Sequence, residues 1–274
     1  MFLCLLFVLN LNRCIFVETL ASLKQGYVHY IKRIRFMRIL KATLLVCLCF
    51  FTYIQVQAHA LWIETATYGK LGTAHDVKVF YGEFALNERD APEKWYSDVK
   101  DFTLWLVAPD GKKSQLKTIP GQAYYSSSFT PENEGVYTLM VSHEAAELGG
   151  TTKYHFVSSA YVSIGKSSKV DAGLNENGLK LYADNHEIFA KNKPVKLFAY
   201  LNGKPLANKP VNVASPEGWS KEVMTDENGM LSFLPLWPGR YVAEAQNFEK
   251  ITGNHNGKDF DAAWVGSTFS FEVK

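Results

Sequence analysis

Beyond residue 58 the chain contains no cysteine. All four cysteines of the 274-residue sequence (Cys4, Cys14, Cys47 and Cys49) lie before that point. Residues 59–274 can therefore form no disulfide, and they offer neither a thiolate metal ligand nor a cysteine nucleophile. Methionine is sparse there too. Met140, Met224 and Met230 are its only members, too few for a Met-rich Cu(I) site. The motifs G-x-S-x-G, P-loop, H-E-x-x-H and H-x-x-H are absent, so nothing marks an enzyme. No stretch sustains a capped 3.6-residue period. The best helical candidates, Glu93–Val99 and Glu144–Leu148, are short. An excess of positive charge is lacking as well. From residue 59 on there are 22 Lys/Arg against 26 Asp/Glu, which disfavours nucleic acid and anionic membrane as partners.

What is present begins with an export signal. Met37, Arg38 and Lys41 lead into an apolar run from Ala42 to Ile54. That run is shorter than the roughly 20 residues a spanning helix needs. Val56 and Ala58 then supply small residues at −3 and −1 of a cut before His59, the layout of a secretory signal. The reading is a signal peptide over 37–58, a periplasmic protein, and no membrane span in its mature form. A second small-residue pattern, Ala58-His59-Ala60, would place the cut before Leu61 instead. Residues 1–36 are read as an over-long N-terminus, with translation starting at Met37; an extra membrane segment is the alternative.

From residue 59 the pattern is strand-like. Runs such as Val77–Tyr81, Phe102–Val107, Val136–Ser142, Val195–Leu201 and Ser267–Val273 alternate with Gly, Pro, Asn and Asp. Pro109-Asp110-Gly111 and Asn202-Gly203 have turn chemistry. Short strands at regular spacing predict an all-β fold of two tandem β-sandwiches (Ig-like or prealbumin-like), an N-terminal one over 59–165 and a C-terminal one over 179–274. The polar segment 166–178 reads as a linker. The order G-K-P-L-A-N-K-P-V-N-V, T-D-E-N-G-M-L-S-F, P-G-R-Y in the second half resembles the prealbumin-like, carboxypeptidase-regulatory type of module.

A cut before His59 would give a terminal histidine. Its α-amine and ring nitrogen can chelate one divalent metal. On an extended strand His59, Leu61 and Ile63 share one face, and Ala60, Trp62 and Glu64 share the other. Glu64 is therefore expected to face away from His59, and further ligands are sought on strand-end loops. His75, His143 and His255 occupy such positions. His155 lies mid-strand, and His186 is expected in a solvated turn. Most tryptophans are expected in the core, with Trp219 and Trp237 at exposed edges.

The start A-H-A-L-W-I-E, the closing K-I-T-G-N-H-N-G-K-D-F-D-A-A-W-V-G-S-T-F-S-F-E-V-K and the mid-chain T-K-Y-H-F-V-S-S-A-Y-V-S-I-G resemble the periplasmic DUF4198 proteins. His59, Trp62 and Glu64 at the start and Gly257, Lys258 and Phe260 near the end match most firmly. The resemblance implies a component associated with cobalt/nickel uptake. Its cofactor would be a Ni or Co ion, with Cu possible, and its partner a membrane metal transporter. The expected function is thus a non-enzymatic metal-binding accessory protein, with His59, His75, His143 and His255 as candidate ligands. The alternatives are a copper protein with an N-terminal histidine brace and a metal-free adhesion or carbohydrate-binding sandwich.

Overall fold

The structure is a computed structural model that describes Met37, residues 59–167 and residues 169–274. The expectations for residues 1–36 and for the signal peptide fall almost wholly outside the described residues. From His59 on, the described residues form strands and short 3₁₀ turns. The all-β expectation holds. Of the two helical candidates, the first becomes 3₁₀ turns at Pro92–Lys94 and Val99–Asp101. The second becomes a strand end with bends after it. Neither window has a capped apolar stripe long enough to offset helix nucleation.

The strands of four or more residues, in chain order, are β1 (Ala60–Thr65), β2 (His75–Glu83), β3 (Leu104–Val107), β4 (Lys113–Leu116), β5 (Tyr125–Phe129), β6 (Gly135–Glu144), β7 (Thr152–Ile164), β8 (Leu179–Tyr182), β9 (Val195–Leu201), β10 (Pro210–Ala214), β11 (Ser220–Met224), β12 (Met230–Phe233), β13 (Gly239–Glu249) and β14 (Ala262–Val273). A central sheet runs β11-β10-β13-β14-β7-β6-β3-β4. Its first four strands come from the second half of the sequence and its last four from the first half. The halves join at the middle, where β7 and β14 pair in parallel from Thr152↔Ala262 to Ser159↔Phe269.

Each half covers a different face of this sheet. Side chains alternate along a strand, so β7 sends Phe156, Ala160, Val162 and Ile164 to one core and Tyr161 to another. Likewise β14 gives Trp264 to the first core, and Phe269, Phe271 and Val273 to the second. The sheet β1-β2-β5 closes the first core with Leu61, Ile63, Val77 and Val79; β8, β9 and β12 close the second with Leu181, Leu197 and Leu231. The last nine residues of β7 are all buried, Ser158, Ser159 and Ser163 among them, so this strand departs from the continuous apolar run usual for a strand covered on both faces.

The two halves repeat a local device. Ala108-Pro109-Asp110-Gly111 turns β3 into β4, and Ser215-Pro216-Glu217-Gly218 turns β10 into β11. Gly135 and Gly239 then open β6 and β13 at φ +135° and +128°. An added Cβ would strike Pro109 at 2.6 Å in one case and Pro216 at 2.8 Å in the other. Two residues on, the Tyr137 and Tyr241 hydroxyls each donate to the carbonyl four residues back, Asn133 and Trp237, both at 3.1 Å. This is the tyrosine corner of Greek-key sandwiches.

Candidate functional site

β1 carries the candidate terminus, and it is held on both edges. One edge pairs with β2 in antiparallel register from Ala60↔Gly82 to Thr65↔Val77. Along the other edge, side chains of the central sheet meet its carbonyls. Thr268 Oγ1 donates to Leu61 O at 2.7 Å, Ser270 Oγ donates to Ile63 O, and Arg240 donates to Thr65 O at 2.6 Å. Buried backbone acceptors need partners, and here a row of hydroxyls and a guanidinium stands in for a strand.

The alternation expected for this segment is observed. Leu61 and Ile63 enter the first core. Trp62 lies on the opposite face, stacked on Phe80 with ring centroids 5.4 Å apart. Glu64 shares that face. It accepts from Trp62 Nε1 at 2.8 Å and from Arg89 at 3.2 Å, while the Arg89 guanidinium lies 5.0 Å over the Phe80 ring. Glu64 is turned away from His59, as the pattern predicts.

His59 sits among acids. The β1–β2 register continued by one step places it opposite Glu83. Its Nδ1 is 3.8 Å from Glu83 Oε1, its Nε2 is 3.3 Å from Asp90 Oδ2, and its ring lies 5.4 Å from that of Tyr81. The histidine side chain is 39% exposed; those of Glu83 and Asp90 are 14% and 28% exposed. Glu83 Oε1 is buried and accepts no hydrogen bond among the described residues. Burial, reinforced by Glu244 and Glu88, pushes the Glu83 carboxyl up to about 7. Glu244, on β13, is also driven up to about 7 by burial, against the lowering effect of its bond from Gln246. This end of the molecule is therefore rich in carboxylates with little solvation, a setting that favours a cation.

A family model described as a domain of unknown function, DUF4198, matches residues 56–249. The chain belongs to the DUF4198 family. No curated protein matches the chain. Among solved structures it is similar to trypsin-activated alpha-2-macroglobulin from Escherichia coli, at 8% identity and a TM-score of 0.25. That likeness covers 77% of this chain but only 15% of the other, and it is too slight to carry a functional argument. The DUF4198 match includes His59, Trp62 and Glu64. It ends before the hairpin Gly253–His255/Lys258–Phe260, which holds the other residues of the resemblance.

The remaining histidines of this DUF4198 chain are dispersed. His75 opens β2, eight residues from Glu83, which at about 3.3 Å per residue puts it roughly 25 Å from His59. It is buried against Phe129, with Nε2 2.8 Å from the Thr65 hydroxyl. Burial outweighs its other interactions and lowers its basicity. His143 lies at the end of β6, 3.1 Å from Asp98. Burial would raise the Asp98 carboxyl, but the Ala146 N–H, His143 and Ser97 together hold it below the usual range. His255 donates through Nε2 to the Ala145 carbonyl at 2.8 Å and ties the closing hairpin to the loop after β6. Among the described residues, no group of three or more His, Cys, Asp or Glu stands ready to hold a metal ion. The four candidate histidines thus do not converge.

Two other histidines differ from expectation or add to it. His186 is not in a solvated turn. It is 2% exposed, packed edge-on against Tyr161, with neither ring nitrogen hydrogen-bonded among the described residues. Burial, with Arg240 nearby, lowers it to about 4. Its neighbours Tyr161 and Arg240 come from distant strands, which local polarity around Asp184–Glu187 conceals. His155 falls on the opposite face of the sheet from His143 and meets Ser142 Oγ at 2.8 Å. Glu83 and Asp90, the groups that do flank His59, carry no motif; only the strand register would have indicated Glu83.

Proposed function

We propose that this protein is a periplasmic, non-enzymatic accessory protein that binds Ni(II) or Co(II) at a terminal His59 and serves a membrane metal transporter. In this reading residues 37–58 are an export signal, and 59–165 and 179–274 are two sandwich units joined edge to edge through β7 and β14. The observation that carries the metal assignment is the placement of His59 between two carboxylates on different ring nitrogens. Nδ1 faces Glu83, and it is also the nitrogen that chelates together with an α-amine. Nε2 faces Asp90, which leaves Asp90 to orient the ring, as outer carboxylates do for metal-bound histidines. The donors are then an amine, an imidazole and a carboxylate. Such a nitrogen–oxygen set suits Ni(II) and Co(II). The buried, unpartnered Glu83 oxygen fits a cation as well. A bound ion would be the cargo, and its chemistry here is coordination alone.

The test is competitive titration of the chain starting at His59 with Ni(II), Co(II) and Cu(II). EPR tracks the copper arm. Micromolar or tighter Ni(II) or Co(II) binding is expected, weakened at least tenfold by His59→Ala. Equal binding by that variant would end the assignment. In vitro, Cu(II) binds most nitrogen sites more tightly than Ni(II), so the copper-brace alternative is separated by the metal recovered with the protein from the periplasm. The reading as a carbohydrate-binding sandwich draws on one observation. Trp219, 42% exposed, pairs with Trp237 at 5.9 Å beside a cleft lined by Glu217, Gly218 and Arg240. Glycan binding abolished by Trp219→Ala would favour it.

A further inference from the structure

We infer that the mature protein begins at His59 and that its new α-ammonium is seated by Glu83, forming a latch at the start of β1 before any metal arrives. This rests on the proposed export with its cut before His59, and adds to it the partner of the terminus.

The fold accommodates a terminus at His59 better than one at Leu61. Ala60 already pairs with Gly82, and Leu61 is 1% exposed with its carbonyl bonded to Thr268. A cut before Leu61 would remove the Ala60 pair. It would also place a charged ammonium on a residue packed among Tyr81, Val79 and Ile63 in the first core. An unpaired charge buried among apolar groups is strongly disfavoured. His59 lies one step outside the ladder, its side chain more than a third exposed. A terminus can form there without disturbing the core.

The partner is set by charge and register. Residues opposite one another on antiparallel strands have Cα atoms about 4.5–5.5 Å apart, so a main-chain nitrogen at His59 lies within reach of the Glu83 side chain. Glu83 Oε1 is buried and, among the described residues, lacks any hydrogen-bond donor. The neighbouring titratable groups, Glu88, Asp90 and Glu244, are all acids. The cation nearest in sequence, Arg89, is committed to Glu64 on the other face of β1. An α-ammonium brings three N–H donors to a site whose other described donor is the His59 ring. Processing would thus add a fixed positive charge beside these carboxylates. A metal ion taken up later would replace the protons of that ammonium and keep the same carboxylate.

Two measurements test this. First, the full chain is expressed in a Gram-negative host and the intact mass of the exported protein is determined. A mass equal to residues 59–274 is expected. A chain starting at Leu61 or elsewhere overturns the inference while leaving export standing, whereas an uncleaved chain overturns the export reading itself. Second, residues 59–274 are released from a cleavable fusion with His59 first, or with one added glycine that moves the amine away. Both are melted in EDTA, in wild type and in Glu83→Gln. The added glycine is expected to lower Tm by about 2–4 °C in wild type, which for this chain length corresponds to about 1 kcal/mol, and to do nothing in Glu83→Gln. Equal shifts in both backgrounds overturn the latch. Because the second measurement excludes metal, its failure leaves the metal titration to stand or fall separately.

Discussion

Thr268 illustrates how single side chains hold this fold. Its hydroxyl stands 2.7 Å from Leu61 O and 2.8 Å from Ser158 Oγ, so it gives one hydrogen bond and receives another. Thr268→Val keeps the shape and removes both. It is expected to destabilise the protein by about 1–3 kcal/mol, the cost of leaving buried polar groups unpaired, as read by urea denaturation. His186 makes a different demand. Its folded basicity, at about 4, lies below its ordinary value of 6.5. Between those pH values the unfolded chain binds the proton and the folded chain does not. Stability therefore falls as pH drops from about 6.5 towards about 4. His186→Phe should weaken that acid loss, with the effect read as the difference in denaturation midpoint between pH 7 and pH 4.5. Glu244 acts with the opposite sign. A carboxyl raised from 4.5 to about 7 favours the folded state below about 4.5 and loses that contribution as pH rises through 7. Glu244→Gln should leave stability at pH 4 unchanged and raise it at pH 8.

At the scale of elements, the repeated turn-and-corner device decides where strands start. Gly135 and Gly239 occupy a φ region that L side chains rarely adopt, each with a proline where a Cβ would go. Gly239→Ala should cost more than about 1 kcal/mol, because at φ +128° a Cβ is strained and Pro216 lies 2.8 Å from where it would sit. Tyr241→Phe should cost about 1 kcal/mol by losing the bond to Trp237. Both are checked by thermal denaturation. Much of this level was legible in the sequence. The period-2 runs, the Pro-Asp-Gly turn and Asn202-Gly203, whose two residues both have positive φ, are local patterns with local causes. The correspondence of Pro109/Gly135/Tyr137 with Pro216/Gly239/Tyr241 was also written there. It became readable only when both triads were seen to make the same contacts. The burial of His186 was not legible, since its polar neighbours Asp184, Asn185 and Glu187 say nothing about which distant strands close over it.

For the whole molecule, the parallel pairing of β7 with β14 is the governing contact. Residues 59–165 alone would leave β7 with an open edge and Trp264 missing from the first core. Residues 179–274 alone would lose Tyr161 from the second. Expressed separately, the halves should give aggregated or loosely packed products, and the chain from His59 should show one calorimetric transition. Two independent transitions would contradict this. The same contact places the β1 edge carbonyls against Thr268 and Ser270, more than 200 residues away in sequence, and so holds His59 beside its acids.

By itself the sequence determined the all-β class, the strand-by-strand alternation that separates His59 from Glu64, and the turn positions. Each of these depends on neighbours a few residues away, or on the two-residue period of a strand. Only the tertiary structure decided which carboxylates surround His59, that His75 lies at the far end of β2, and that the two halves share one sheet. Those outcomes depend on register and on contacts between distant segments, which no local window of sequence contains.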